Sequence, residues 1–350
     1  MSERKLNRRQ RWRADKIQEE RQDRSQKKQR DLESQLQSGQ LSSEQAGLVR
    51  SRYSKEFEIE ALEGADAGEI HRCVARMNLG PIVAGDRVVW RAAPGLTGVI
   101  VSRQTRSCVL ERPDNFGRLK PMAANIDQML IVFACAPTPQ PNLIDRYLVA
   151  AELLRVRPIL VLNKADLLDR ENRQSIDPLL QHYQDLGYDT VNVISSRHQA
   201  AELANLPELI QGRTSIVVGQ SGVGKSSLIN TLMPELNLEV GPLSQHSGEG
   251  THTTVRATLF HVSSGGQLID SPGIRDFSLW HIGVNDLQQG FIEIDSAAAR
   301  CKFRDCRHEG EPACAVAQAV QDGSISPRRF ASFNATKEAI QEQQARGLVL

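Results

Sequence analysis

The chain has 350 residues, a formal net charge of +1 and an apolar fraction of 40%, which is room for two or three domains with cores of their own. No apolar run approaches the ~18 to 20 residues of a membrane span. The charged N-terminus also lacks the apolar core of a secretory signal, so a cytoplasmic protein with no membrane partner is expected.

Charge is unevenly spread. Residues 1–31 hold twelve Lys/Arg against six Asp/Glu and almost no apolar side chains, too few to form a core. Residues 1–47 therefore read as a basic flexible arm, either a solvated tail or a segment that orders on RNA. Residues 48–116 follow as an all-β module of the OB-barrel type. Five runs rich in β-formers, Phe57–Leu62, Ile70–Arg76, Asp86–Trp90, Thr97–Ser102 and Ser107–Leu110, are separated by turns such as Gly80-Pro81 and Pro94-Gly95. Arg72, Arg76, Arg87, Arg91, Arg103, Arg106 and Arg112 are interleaved with the apolar positions. Strands buried on one face need polar outer faces anyway, so this excess only leans toward RNA.

From 117 to 288 strand and helix alternate: Gln128–Ala134, a helix over Leu143–Leu154, Pro158–Leu162, a helix near Pro178–Leu186, Val191–Ile194, then Ile216–Val218. This predicts an α/β sheet with helices on its faces and a ligand at the carboxyl ends of its strands. The third strand's neighbour in sequence, Pro158–Leu162, runs into Asn163-Lys164-Ala165-Asp166. An Asp carboxylate at the fourth position can accept two hydrogen bonds from the N1–H and N2 amino edge of guanine, which adenine cannot supply, and a buried unpaired carboxylate would reject adenine. Asn163 would brace the loop and Lys164 would lie along the base, with Ser195 and Ser196 after Val191–Ile194 completing the contact. The alternative is an Asp helix cap ahead of Leu167-Leu168.

The next motif, Gly219-Gln220-Ser221-Gly222-Val223-Gly224-Lys225-Ser226 with Ser227 beyond it, lies between an apolar strand and a helical run, the context a phosphate loop requires. Backbone N–H groups would wrap phosphates, Lys225 would reach the β- and γ-phosphates, and Ser226 would offer its hydroxyl to Mg²⁺. Base motif before phosphate loop is the reverse of the ordinary Ras-like order, so a circularly permuted nucleotide domain is expected. An ATPase or small-molecule kinase on the same loop is the rival, and Asn163 to Asp166 argue against it.

The loop Gly248 to Thr254 sits where a first switch belongs. Thr253 or Thr254 could complete the Mg²⁺ shell, with Thr253 favoured, and His252 could hold a water. Asp270-Ser271-Pro272-Gly273 then resembles a second switch, Asp270 facing the metal and Gly273 the γ-phosphate, although such a tetrapeptide is also common turn chemistry. The residue after it is Ile274, which cannot orient a water as Gln does in Ras-like enzymes. If His252 is only an exposed loop residue, Arg256, Arg275 or an external group takes that role.

Cys73, Cys108 and Cys135 stand singly in apolar or strand-like surroundings and read as buried small hydrophobes. Residues 289–350 differ. Cys301, Cys306, His308 and Cys314 form C-x₄-C-x-H-x₅-C, three thiolates and an imidazole, enough for a closed structural zinc site, and three cysteines cannot pair evenly as disulfides. A charged, helix-favouring tail from about Pro327 to Gly347 closes the chain.

An OB-like module, a permuted nucleotide domain and this zinc pattern, in this order, resemble the bacterial ribosome small-subunit-dependent GTPase A family over roughly residues 48–345. The resemblance implies an N-terminal OB-type barrel, a central permuted P-loop GTPase domain and a C-terminal, mostly helical zinc-binding domain. It implies a GTPase that binds the small ribosomal subunit and its rRNA late in maturation, is stimulated there and is released by hydrolysis, and it points to His252 as the water-positioning group. A monomer using GTP or GDP with Mg²⁺ is expected. Two alternatives stand: an RNA-binding scaffold using GTP as a conformational ligand with negligible turnover, and a permuted GTPase acting on another ribosomal particle.

Overall fold

Short runs of buried residues, such as Gly47 to Val49 and Ile59 to Ala61, mark the N-terminal strands. In the computed structural model, the described residues are 41–54, 56–93, 97–113, 118–195, 202–236, 257–270 and 282–345. The N-terminal arm up to residue 40 and the Pro94-Gly95 turn lie outside them. The chain divides into two compact units, one holding residues up to Val49 with Tyr53–Gly80 and Arg87–Gln104, the other Arg50–Arg52, Pro81–Asp86 and residues from Thr105 onward.

In the first unit, β1 (Gln45–Tyr53), β2 (Glu56–Ala61), β3 (Ile70–Ala75), β4 (Arg87–Arg91) and β5 (Thr97–Arg103) are bonded in the order β1-β2-β3-β5-β4, and β4 returns to β1 through Gln45 to Leu48. The β3–β5 pair is parallel, while β2–β3, β4–β5 and β1–β4 are antiparallel. The result is a closed five-stranded OB-like barrel, which leaves no strand edge open. Trp90, fully buried, fills its interior. A Cβ at Gly47 would lie 2.6 Å from Trp90 Cδ1, and one at Gly98 2.9 Å from Trp90 Cε3, so these two glycines make room for the indole.

β1 is not among the five runs read from the sequence, because Gln45-Ala46-Gly47 carries no β-branched or aromatic side chain to mark its start. The run Ser107–Leu110 proves not to be a barrel strand. Its residues enter β6 (Val109–Pro113), which pairs with β7 (Leu119–Ala124) as a separate two-stranded sheet of the second unit. Nor is Arg106 a free surface cation. Its guanidinium donates to both oxygens of buried Asp86, at 2.7 and 2.8 Å, and to the Pro81 carbonyl.

The second unit is built on β8 (Gln128–Ala134), α1 (Pro141–Leu154), β9 (Arg157–Asn163), α2 (Arg170–Asp185), β10 (Asp189–Asn192), α3 (Leu206–Ile210), β11 (Thr214–Gly219), α4 (Lys225–Leu232), β12 (Thr258–His261) and β13 (Gln267–Asp270). Its strands lie in the order β10-β9-β8-β11-β13-β12, parallel throughout except β12. Every residue of β8 is buried, as a central parallel strand covered on both faces demands. α2 begins well before Pro178, capped by Asp169, whose carboxylate accepts from Asn172 N–H at 2.7 Å. The sequence conceals that start because Ile176, Leu180 and Tyr183 are the helix's only buried residues, a narrow stripe on an otherwise polar helix.

The C-terminal helices are α5 (Val284–Gln289), α6 (Ile292–Ala298), α7 (Ala315–Gln321) and α8 (Pro327–Ala345), and α5 and α8 both pack on α1. Gly290 after α5 permits this, since a Cβ there would lie 2.5 Å from Val149 Cγ1. A buried ionic cluster joins α8 to α1. Arg329 donates to Asp145 at 2.8 Å and bidentately to Glu293 at 2.6 and 3.0 Å, and the Tyr183 hydroxyl donates to the same Asp145 at 2.6 Å.

Candidate functional site

Parallel strands bring the sequence motifs to one rim. Asn163 ends β9 beside Ala134 at the end of β8, Gly219 ends β11, and Asp270 ends β13, the carboxyl edge where open α/β sheets bind ligands.

Three backbone conformations shape the loop between β11 and α4. Gly219 (φ +140°), Gly222 (φ +83°) and Gly224 (φ +90°) occupy the region that L side chains rarely adopt. A Cβ at Gly219 would collide with the Val132 carbonyl of β8, and one at Gly224 would lie 2.5 Å from Asn163 Nδ2. Val223 is wholly buried and anchors the loop in the core beneath it. Lys225 opens α4 and donates from Nζ to the Gly219 and Gln220 carbonyls at 2.7 Å each, which holds its ammonium over the loop. Ser226 and Ser227 follow in the first turn, half-buried.

The base motif is stapled to that loop. Asn163, fully buried, donates from Nδ2 to the Val223 carbonyl at 3.0 Å and to Gly224 at 3.3 Å, and its Oδ1 accepts from the Ser195 hydroxyl at 2.8 Å. Lys164, in the left-handed region at φ +58°, donates from Nζ to the Gly222 and Ala136 carbonyls at 2.8 Å each. Ala165 N–H donates to the Val193 carbonyl, and Ala165–Leu167 turn as a short 3₁₀ segment that leaves Asp166 exposed. Asn163, Lys164 and Ser195 thus fix where Asp166 stands relative to the phosphate loop. Ser196, His252, Thr253, Thr254, Gly273, Ile274, Arg256 and Arg275 lie outside the described residues.

Oxygen donors at this rim, the Ser226 hydroxyl and the Asp270 carboxylate, are the hard ligands that Mg²⁺ takes. A second constellation lies in the C-terminal helices. One ligand atom from each of Cys301, Cys306, His308 and Cys314 falls within 4.8 Å of every other. Cys301 Sγ is 3.8 Å from His308 Nδ1 and 4.0 Å from Cys314 Sγ, and His308 Nδ1 is 3.3 Å from Cys314 Sγ. A tetrahedral zinc with bonds of about 2.0 to 2.3 Å sets its ligand atoms roughly 3.5 to 3.8 Å apart, so the cluster fits a metal.

The surroundings act unequally on the cluster, and burial together with the Cys314 and Cys301 sulfurs pushes the Cys306 thiol up to about 12. Burial pushes the His308 imidazole below its ordinary pKa, which favours the neutral form that offers a lone pair. Burial works to raise the Cys301 thiol, but backbone N–H groups of Val316 and Ala315 and the neighbouring sulfurs outweigh it and hold the pKa below its ordinary value. Ala317 N–H donates to Cys314 Sγ at 3.4 Å at the start of α7. His308 (φ +62°) and Ala313 (φ +58°) are held in the left-handed region, and buried Lys337 of α8 ties the loop down through the Arg307 carbonyl and Glu309. Among these groups, Lys337, Asp145 and Arg329 escape a motif search, since no local spacing marks them.

A family model described as RsgA GTPase matches residues 103–280. Proteins named small ribosomal subunit biogenesis GTPase RsgA are similar over the full length. One from Marinobacter nauticus is 49% identical over 355 aligned positions, covering 100% of both chains, and one from Hahella chejuensis is 50% identical, covering 98% of each. Among solved structures, YloQ, described as a circularly permuted GTPase, matches with a TM-score of 0.67 and 29% identity over 86% of this chain and 96% of its own. YjeQ from Thermotoga maritima matches with a TM-score of 0.68 and 29% identity over 85% of this chain and 99% of its own. A base motif that precedes its phosphate loop, on a sheet that still brings the two together, is the permuted arrangement, and the chain is a GTPase of the RsgA family.

Proposed function

We propose that the chain hydrolyses GTP to GDP and phosphate during biogenesis of the small ribosomal subunit, docked on that subunit and stimulated by it. The observation that carries the site assignment is the double staple from Asn163 and Lys164 to the phosphate loop. It holds the Asp166 carboxylate at a fixed distance from Lys225, so one nucleotide can satisfy both ends. Asp166 accepts from the guanine edge, with Ala165, Ser195 and Ser196 around the base, and Gly219 to Ser227 cradle the phosphates. Lys225, released from its two loop carbonyls, binds the β- and γ-phosphate oxygens. Ser226, Thr253 and Asp270 would hold Mg²⁺, which when bound neutralises charge on the transferring phosphoryl group. His252 orients the attacking water, Gly273 bonds the γ-phosphate, and displacement at phosphorus expels GDP.

The Cys301, Cys306, His308 and Cys314 cluster holds one structural zinc. Four protein ligands leave no open position for substrate. The barrel and the basic arm engage rRNA, hydrolysis drives release, and the protein works in the cytoplasm as a monomer. The experiment is multiple-turnover phosphate release with and without small subunits, for wild type and His252→Ala. Subunits should accelerate the wild type, and the variant should keep nucleotide and subunit binding while losing most of that acceleration. Equal stimulation of the variant would remove His252 from the mechanism, and no stimulation of wild type would end the docking-dependent reading.

A further inference from the structure

His308 uses both ring nitrogens. Nδ1 faces the sulfurs of Cys314 and Cys301 at 3.3 and 3.8 Å, while Nε2 lies 3.1 Å from Gln288 Oε1 on α5. Gln288 is itself oriented, since its Nε2 donates to Asp295 Oδ1 of α6 at 3.0 Å. A carboxylate can only accept, so the amide nitrogen must face Asp295 and the amide oxygen must face His308. That oxygen in turn can only accept, so Nε2 carries a proton, and a ring that ligates a metal through Nδ1 has its single proton there and its lone pair toward the sulfur cluster. Flipping the amide would set its oxygen against the Asp295 carboxylate.

We infer that Gln288 and Asp295 form an outer relay that selects the metal-binding tautomer of His308 and fixes its ring. The inference rests on the reading of the Cys301, Cys306, His308 and Cys314 cluster as a metal site. Such outer partners commonly alter metal affinity by about 10–100-fold when removed. The relay also ties the cluster to α5, the first helix described after Asp270, so Gln288 joins the metal segment to the chain leaving the nucleotide rim. A purely packing role for Gln288 would need its shape but neither its acceptor oxygen nor its orientation.

The test uses the full-length chain as wild type, Gln288→Ala, Gln288→Glu and Asp295→Ala. Zinc content, the rate of zinc transfer to a chromophoric chelator and long-range nitrogen–proton correlation spectra of labelled histidines are measured. Wild type should show the Nε2–H tautomer at His308. Gln288→Ala should release zinc about 10–100-fold faster. Gln288→Glu, whose carboxylate still accepts from Nε2–H, should recover most of the slow release, and Asp295→Ala should fall between. A zinc-loaded wild type whose Gln288→Ala variant releases metal at an unchanged rate, or a His308 proton found on Nδ1, overturns the relay while leaving the metal site standing. A wild type that binds no zinc overturns the metal reading and the relay together.

Discussion

Asn163 makes three side-chain hydrogen bonds at the nucleotide rim. Its amide satisfies two carbonyls of the phosphate loop and the Ser195 hydroxyl, with the Val223 and Ser195 bonds buried and the Gly224 bond partly so. Asn163→Ala would strand those groups, and each buried polar atom left unpaired costs about 1–3 kcal/mol. GDP affinity should therefore fall by about tenfold or more. Isothermal titration with GDP checks it, and an unchanged Kd would mean the staple has no energetic role. Gly224 belongs to the same contact, because a Cβ would lie 2.5 Å from Asn163 Nδ2 and φ is +90°. Asp166→Asn is a different experiment. The new amide can donate to a C2 oxygen, so preference should shift from guanosine toward xanthosine triphosphate, measured by competition among GTP, XTP and ATP. Wild-type discrimination in that variant would show that Asp166 does not read the base.

At the scale of elements, the ionic cluster under α8 decides how the C-terminal helices are held. Arg329 is wholly buried between Asp145 of α1 and Glu293 of α6, and its guanidinium lies 4.4 Å from the Phe291 ring centroid. Burial opposes its charge, but Glu293 and Asp145 outweigh that and raise its pKa above the ordinary arginine value, so the guanidinium keeps its charge. Removing Arg329 leaves Glu293 without its cation and Asp145 with the 3.4 Å contact from Arg328, and breaking such a buried pair typically costs about 3–5 kcal/mol. Arg329→Met should lower stability by that order in denaturant titrations. Arg328→Met should do much less, since that side chain is 32% exposed and reaches Asp145 only at 3.4 Å. Equal effects of the two substitutions would show that α8 is held by its apolar contacts, such as Phe291 against Phe333, and not by charge.

For the whole molecule, metal and salt are the informative variables. The loop from Cys301 to Cys314 has two non-glycine residues in left-handed conformations and little apolar core, so a metal held there would contribute to its folding free energy. Chelation should open hydrogen exchange in residues 301–321 while the parallel sheet and GTP binding persist. Protection unchanged after full chelation would assign the loop's fold to Lys337 and its neighbours alone. Docking on small subunits should weaken with salt, by about 0.7 to 0.9 log unit per decade for each phosphate contacted. Deleting residues 1–31 should reduce that slope without altering GTP affinity. A salt-independent association would contradict an electrostatic footprint.

Local spacing determined a great deal here. The phosphate loop, the Asn163–Asp166 motif and the candidate metal cluster from Cys301 to Cys314 each occupy a short contiguous stretch, where chemistry fixes both residue type and interval, and the order of the first two is read directly off the chain. The central parallel strands β8, β9 and β11 were equally legible, because strands buried on both faces are continuous apolar runs. In contrast, β10 spans Asp189–Asn192 instead of the expected Val191–Ile194, since only Val191 in it is buried. Only the tertiary structure decided which segments close the barrel, since β1 pairs through its backbone and carries little side-chain signal. Only the tertiary structure decided that Arg106 clasps Asp86 instead of facing outward, that Asn163 and Lys164 hold the phosphate loop, and that Arg329 meets Asp145 across 184 positions of sequence. The physical reason is common to all of them. A buried charge or amide is defined by its partner, and a partner brought close by folding leaves no periodicity and no fixed interval in the chain.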